Sequence, residues 1–271
     1  MRLPALAPAL VLAASLIPTT IVAALSSPAM AQDQNDQARY ATCMTLARER
    51  PDKAFDQAGK WVGMGGGAPA RHCEAVALMG LGEYAEAAHR LEKLAEDPTG
   101  DRALRVNLLA QAAQGWLSAG DLSRANADQT TAIQLAASSP GQGVAPVPRL
   151  LPDLYVDRAV TLAQAGKDDE ALRDLTQALI LAPGKAEAYV LRSAARRRLG
   201  NLPGALTDVE QAISLAASNP EAYLERGDVY LALKRVDEAR ADWMKVLDLD
   251  PRDPAADVAR ARIEALDVHV K

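Results

Sequence analysis

Cysteine, histidine and aromatic side chains are all scarce in this chain. Of 271 residues, two are Cys, three are His and one is Phe, and aromatics make up 4%. The histidines His72, His89 and His269 stand in no metal-type or triad-type spacing with other polar residues, so no catalytic constellation can be read from them. The Gly-rich run Gly63-Met64-Gly65-Gly66-Gly67 is followed by Ala68-Pro69, where a phosphate-cradling loop needs Lys and Ser or Thr. It reads as a flexible connector. An excess of positive charge is missing as well. Lys and Arg number 30 against 35 Asp and Glu, a net charge of −5, which argues against non-specific nucleic-acid binding. The cluster Arg196-Arg197-Arg198 has no interleaved aromatics and reads as a solvated face or groove wall. Beyond residue 31 no apolar run is long enough to span a bilayer. No enzyme, cofactor or nucleic-acid partner is expected from these features.

What is present points to helices and to export. Hydrophobic residues make up 49% and charged residues 24%, the balance of a folded protein rather than a disordered one. Ala and Leu are abundant, and both enter a helix at little entropic cost. Residues 1–31 carry one charge, Arg2, then an apolar Ala/Leu/Val run and the ending Ser27-Pro28-Ala29-Met30-Ala31. A positive start, an apolar middle and small residues at Ala29 and Ala31 describe a secretory signal peptide cut after Ala31. An uncleaved anchor is the competing reading, since Leu3 to Ala31 is uncharged and long enough to span, but Pro18-Thr19-Thr20 interrupts it. Cleavage places the protein in the periplasm. There Cys43 and Cys73 are expected to pair, closing a loop of about 30 residues. A metal site or enzyme using His72 with Cys43 and Cys73 is the alternative, with three ligands and no evident fourth.

The chain also repeats itself. Ala165-Gly166-Lys167-Asp168-Asp169-Glu170-Ala171 returns as Leu199-Gly200-Asn201-Leu202-Pro203-Gly204-Ala205 and again as Leu233-Lys234-Arg235-Val236-Asp237-Glu238-Ala239, each 34 residues on. Earlier copies end in Ala87 and Ala125, at spacings of 38 and 46 residues, with short insertions between. Each copy shows helical apolar spacing, a turn and helical spacing again, which makes an antiparallel helix pair. Gly82, Gly120, Gly166 and Gly200 suit a left-handed helix end. The recurring Ala of each second helix faces Ala75, Ala113, Ala159, Ser193 or Gly227, so Ala171→Leu or Ala205→Leu is expected to overpack its pair by about 1–3 kcal/mol. Arg158, Arg192 and Arg226 recur at the same period, as do Asp174, Asp208 and Asp242, which predicts an ion pair within each unit; Glu74 and Arg90 exchange the charges.

This unit resembles the tetratricopeptide repeat (TPR). From Pro220 the pattern reads Tyr223, Gly227, Tyr230, Ala239, Trp243, Val246, Leu249 and Pro251; from Pro152 it reads Tyr155, Ala159, Leu162, Gly166, Ala171, Leu175, Ala178, Leu181 and Pro183. The copy from Ala186 keeps Tyr189, Ser193, Gly200, Ala205, Val209, Ala212 and Leu215, and copies from about Ala68 and Val106 match less fully. The resemblance implies an all-α, right-handed α-solenoid of about five helix pairs. Residues 32–67 would be an extra N-terminal helix pair and its connector, 68–253 the array with a Pro/Gly-rich insertion near 139–151, and 254–271 a capping helix and tail. In such a stack first helices are neighbours, so a Cys43–Cys73 bridge would staple the N-terminal pair to the array.

TPR proteins bind peptides in the groove lined by their first helices. Carried onto this sequence, the groove positions are Asp153, Val156, Asp157 and Val160; Glu187, Val190, Ala194 and Arg197; and Glu221, Leu224 and Asp228. The chaperone-binding subgroup clamps a C-terminal carboxylate there with Lys and Asn, whereas these positions hold mostly Val, Ala, Leu and acids. The resemblance therefore implies a non-enzymatic scaffold that binds a protein or peptide partner with basic and aliphatic side chains. A self-associating structural protein is the third reading.

Overall fold

The computed structural model describes residues 28–97, 101–138 and 149–269. The signal-peptide expectation falls largely on residues 1–27 and the Pro/Gly-rich insertion largely on 139–148, outside the described residues. The described residues form thirteen α-helices and no strand. The helices come in pairs: α1 (Pro28–Glu49) with α2 (Pro51–Gly63), α3 (Gly67–Leu81) with α4 (Tyr84–Ala95), and α5 (Arg102–Ser118) with α6 (Leu122–Ala137). They continue as α7 (Leu151–Gln164) with α8 (Asp168–Leu181), α9 (Ala186–Arg198) with α10 (Leu202–Leu215), and α11 (Pro220–Ala232) with α12 (Val236–Leu249). A last helix, α13 (Pro254–His269), packs on α12. None of the described helices is long and apolar enough to cross a membrane.

Local chemistry sets the helix ends. Proline opens α2 and α11, where its missing N–H costs nothing. Asp101, Asp121, Asn201 and Asn219 accept hydrogen bonds from backbone N–H groups of the first turn of α5, α6, α10 and α11. In the α7–α8 turn Gly166 takes φ +74°, and the next amide, Lys167 N–H, reaches back to the Leu162 carbonyl. The α11–α12 turn makes the same bonds without glycine. Lys234 sits there at φ +62°, the only positive-φ residue other than glycine among those described.

The connector between α2 and α3 is a built turn rather than a flexible link. Gly65 and Gly66 amides bond back to the Val62 and Trp61 carbonyls. A Cβ on Gly66 would stand 2.4 Å from the Trp61 ring, so the indole lies directly against the backbone. Cys43 of α1 and Cys73 of α3 are joined by a disulfide, which ties the first pair to the second.

Alanine is what lets each pair close. Ala87, Ala125, Ala171, Ala205 and Ala239 are fully buried, and so are or nearly are Ala75, Ala113, Ala159 and Ser193 opposite them. In the last pair Gly227 lies under Trp243, whose Nε1 would be 2.4 Å from any Cβ placed there. Larger residues fill the space between pairs. Tyr155 touches the clusters on both of its sides, and Tyr189 does the same one unit later, so the core runs along the stack.

The period-34 charges meet as the spacing predicts. Arg158 holds Asp174 through two bonds of 2.7 and 2.8 Å, Arg192 holds Asp208 at 2.8 and 2.7 Å, and Arg226 holds Asp242 with both at 2.7 Å. Arg90 reaches Glu74 at 2.8 Å with the charges exchanged. Tyr155, Tyr189 and Tyr223 lie beneath the three guanidinium groups, which repeats a Tyr–Arg–Asp unit in successive pairs.

Candidate functional site

The first helices α7, α9 and α11 place the expected groove residues in three environments. Asp153, Asp157, Glu187 and Glu221 are exposed, whereas Val160, Ala194, Arg197, Leu224 and Asp228 are half-buried. Val156 and Val190 do not face the groove. They are 3% and 7% exposed and belong to the core, Val156 beside Ala159 and Leu175, Val190 beside Val209 and Ala222. The helices approach so closely through alanine that this position is swallowed by the neighbouring unit. A partner cannot touch either valine.

The groove also carries a pre-formed charge network at its C-terminal end. Arg197 donates to both oxygens of Glu225 at 2.9 Å, Ser193 donates to Glu225 at 3.2 Å, and Arg262 of α13 reaches Asp228 at 3.2 Å. Glu225 is 7% exposed, and burial raises its carboxyl pKa even though Arg197 opposes that effect. The other members of the arginine run are held too, Arg196 by Asp208 and Arg198 by Asp168. These arginines therefore offer no free cationic patch.

Between α7 and α9 the balance is different. Asp153, Asp157 and Glu187 stand around Lys185, which reaches Asp153 at 2.7 Å and Glu187 at 3.6 Å. Partial desolvation pushes the Asp157 carboxyl up, and the charges of Asp153 and Glu187 add to it while Lys185 opposes. Asp157 stays in contact with water, so the carboxylates form an electronegative, accessible patch.

A second feature lies at the N-terminal end, on residues that the repeat pattern did not single out. A cavity of about 340 Å³ opens between α1, α3, α4 and α5. Ala68, Pro69, Leu94, Leu104 and Leu108 supply apolar walls, and Asp36, Asp97 and Arg105 stand at its polar edge. Tyr40 and His72 also line it. The Tyr40 hydroxyl lies 2.6 Å from His72 Nδ1, and His72 Nε2 lies 3.0 Å from Gln111 Oε1. Since the Gln111 oxygen only accepts, Nε2 carries the ring proton and Nδ1 accepts from Tyr40, which satisfies the neutral imidazole. Burial lowers the His72 pKa, in keeping with that neutral form.

In this arrangement the residues of the metal alternative have other partners. Both cysteine sulfurs are consumed in the disulfide, so neither is a thiolate donor. Both ring nitrogens of His72 already have partners. Among the described residues no group of three or more His, Cys, Asp or Glu is placed to hold a metal ion. Sequence offered little signal for the cavity, because Tyr40, His72 and Gln111 are supplied once each by three separate helices.

Residues 156–220 and 195–257 match the family model of the tetratricopeptide repeat. Among solved structures the chain is similar to MamA 41-end from Desulfovibrio magneticus RS-1, with a TM-score of 0.56 and 18% identity over 69% of this chain and 97% of that one. A further crystal structure of MamA gives a TM-score of 0.53 and 18% identity over 66% of this chain and 95% of that one. The first TPR of Spaghetti (RPAP3), bound to the HSP90 peptide SRMEEVD, overlaps a shorter stretch. Its TM-score is 0.39, with 28% identity over 43% of this chain and 96% of that one. No curated protein sequence matches the chain. The likeness to MamA is one of fold, an all-α helical-repeat array.

Proposed function

We propose that this array of tetratricopeptide repeats is a non-enzymatic scaffold of the bacterial periplasm, exported by a cleavable signal peptide and holding a partner segment with basic and aliphatic side chains along its first-helix face. The observation that carries the reading is the unbalanced acidic patch of Asp153, Asp157 and Glu187 around Lys185. A Lys or Arg arriving there gains charge-assisted hydrogen bonds and relieves the mutual repulsion of the carboxylates. The C-terminal end of the same face is already neutralised by Arg197 and Arg262, so specificity for basic segments would concentrate between α7 and α9.

Brief cross-linking in the native periplasm followed by affinity capture tests it, with Asp157→Lys combined with Glu187→Lys as the control. Both side chains are exposed, so the control should melt like the wild type. A partner captured by the wild type and lost from the control supports the reading; equal capture by both places binding elsewhere. Export is tested separately by N-terminal sequencing of the mature protein, expected to begin at Gln32. A chain that retains residues 1–31 refutes the cleavage.

A further inference from the structure

The third helix pair breaks the charge pattern of the array. In the three pairs from α7 to α12 an arginine stands one residue before the small residue of the first helix, and an aspartate stands three residues after the alanine of the second. Arg158 and Asp174 are the first such couple. Asp128 keeps the acidic place in α6, but Ala112, fully buried, stands where the arginine belongs. Arg158 also reaches back to the preceding pair, with a bond of 3.1 Å to Thr130. The counterpart of Thr130 one pair earlier is Glu92, each five residues after the recurring alanine. The place of the missing guanidinium is thus flanked by two acids, Glu92 of α4 and Asp128 of α6.

The charged neighbours on each packed helix are engaged elsewhere. On α6, Arg124 is spent on Asp121 and lies over the Trp116 ring. On α4, Arg90 is spent on Glu74 and Glu86, Lys93 is exposed, and His89, also exposed, lies 3.5 Å from Glu92. On α7, Arg158 is spent on Asp174 and Thr130. From α5 comes Trp116, whose indole N–H donates to Glu92 at 2.7 Å. Gln129, 2% exposed, adds a second buried acceptor without a donor. Asp128 and Glu92 stand within hydrogen-bond reach, yet two carboxylates have no hydrogen to share. One proton between them supplies it, cancels one charge and lets Asp128 make its missing bond. Burial and the charge of Glu92 hold that proton in place, raising the Asp128 carboxyl from 3.8 to about 7.

We infer that the junction between the second and third helix pairs is a proton-operated joint, in which a proton shared by Asp128 and Glu92 takes the place that arginine holds in the pairs that follow. With the proton bound, α4 and α6 are drawn together beside Trp116. With it released, two carboxylates face each other in a buried place and push the pairs apart. The disulfide makes α1 to α4 one block, so it is this block that loosens from the rest. The later pairs are held by guanidinium groups, which keep their charge throughout. The folded chain holds the proton more tightly than the unfolded one, so the joint is closed in acid and loosens as pH rises through about 7.

Two measurements on the oxidised chain beginning at Gln32 test the joint. Carboxyl-carbon NMR reads the titration, and hydrogen exchange at pH 5.5 and 8.5 reads the opening, each variant being compared with the wild type at the same pH. One carboxyl is expected to titrate near pH 7 and to vanish in Asp128→Asn. At pH 8.5 the amides of α4, α5 and α6 should exchange about tenfold faster in the wild type than in Glu92→Gln, which keeps an oxygen for the Trp116 indole and brings an amide N–H to Asp128. At pH 5.5 the two should match, and α9 to α12 should match at both. Asp128→Asn should behave as Glu92→Gln does, so the test survives if one of them fails to fold. His89→Gln should leave the response intact. No carboxyl titrating between pH 6 and 8, no exchange difference at pH 8.5, or one equally large at pH 5.5 overturns the joint. So does a difference spread over the whole array, or a response lost in His89→Gln.

Discussion

Replacing Asp128 by Asn removes a charge that the fold holds at a disadvantage. Asp128 of α6 is 8% exposed, and its Oδ2 is buried without a hydrogen-bond partner. Across from it Glu92 of α4 accepts the Trp116 indole N–H at 2.7 Å and lies 3.5 Å from His89, while Arg124 lies over the indole ring. Burial first, and then the charge of Glu92, raise the Asp128 carboxyl from 3.8 to about 7. The folded chain therefore binds a proton in a pH range where the unfolded chain has released it. Stability from this site is fully present below pH 3.8 and is lost as pH rises towards about 7. The gap between those two values sets a ceiling of about 4 kcal/mol. Asn still leaves a buried polar group short of partners, which costs on the order of 1 kcal/mol. Asp128→Asn should then be more stable than the wild type by about 2–3 kcal/mol at pH 8.5 and no more stable at pH 4. Urea unfolding at the two pH values, with hydrogen exchange on α5 and α6 to localise the effect, measures this. A difference between variant and wild type that does not change with pH, or that favours the wild type at pH 8.5, refutes the argument.

Four further outcomes are expected. Cys43→Ala with Cys73→Ala should cost about 3–4 kcal/mol on the chain-entropy model, and hydrogen exchange should accelerate first in α1. Gly227→Ala should drive a Cβ into Trp243 and lower stability by about 1–3 kcal/mol, read by thermal melting together with a shift in tryptophan emission. Arg226→Met leaves Asp242, 6% exposed, without its bidentate partner and should cost about 2–3 kcal/mol, most of which returns in the double variant with Asp242→Leu; denaturant midpoints of the two decide it. Lys234→Gly removes a side chain from a left-handed position and should raise the melting temperature, by a stability gain of about 1 kcal/mol.

The parts legible in the sequence are those that the chain writes more than once. Ala171, Ala205 and Ala239 announce the close approach of two helices because the same requirement recurs every 34 residues, and the Arg–Asp pairs announce their register in the same way. The fate of Val156 and Val190 was not legible. Helical spacing places them on the first-helix face, but how deeply that face sinks into the next unit depends on packing distance, which small alanines shorten. The Gly-rich connector misled for a related reason, since glycine there admits the Trp61 ring rather than motion. Lys234, by contrast, stands where the aligned copies carry Gly166 and Gly200, so its left-handed position follows from the repeat register although its residue type argues against it. Tyr40, His72 and Gln111 belong to no repeated pattern, and only the stacking of α1, α3 and α5 brings them together.

The disulfide gives the array a direction. A stack whose members touch only their neighbours comes apart from its ends, one member at a time. Here the two ends are unequal. The leading pair is bolted covalently to the next through Cys43 and Cys73, while the trailing helix α13 is held without a covalent link, by its own Ala255, Ala256 and Ala259 packed with Trp243 and Val246 of α12 and by exposed ion pairs such as Arg240 with Asp267. Fraying therefore begins at the C-terminus. Under tension the last units would peel away while the two leading pairs, linked through Cys43 and Cys73, stay together.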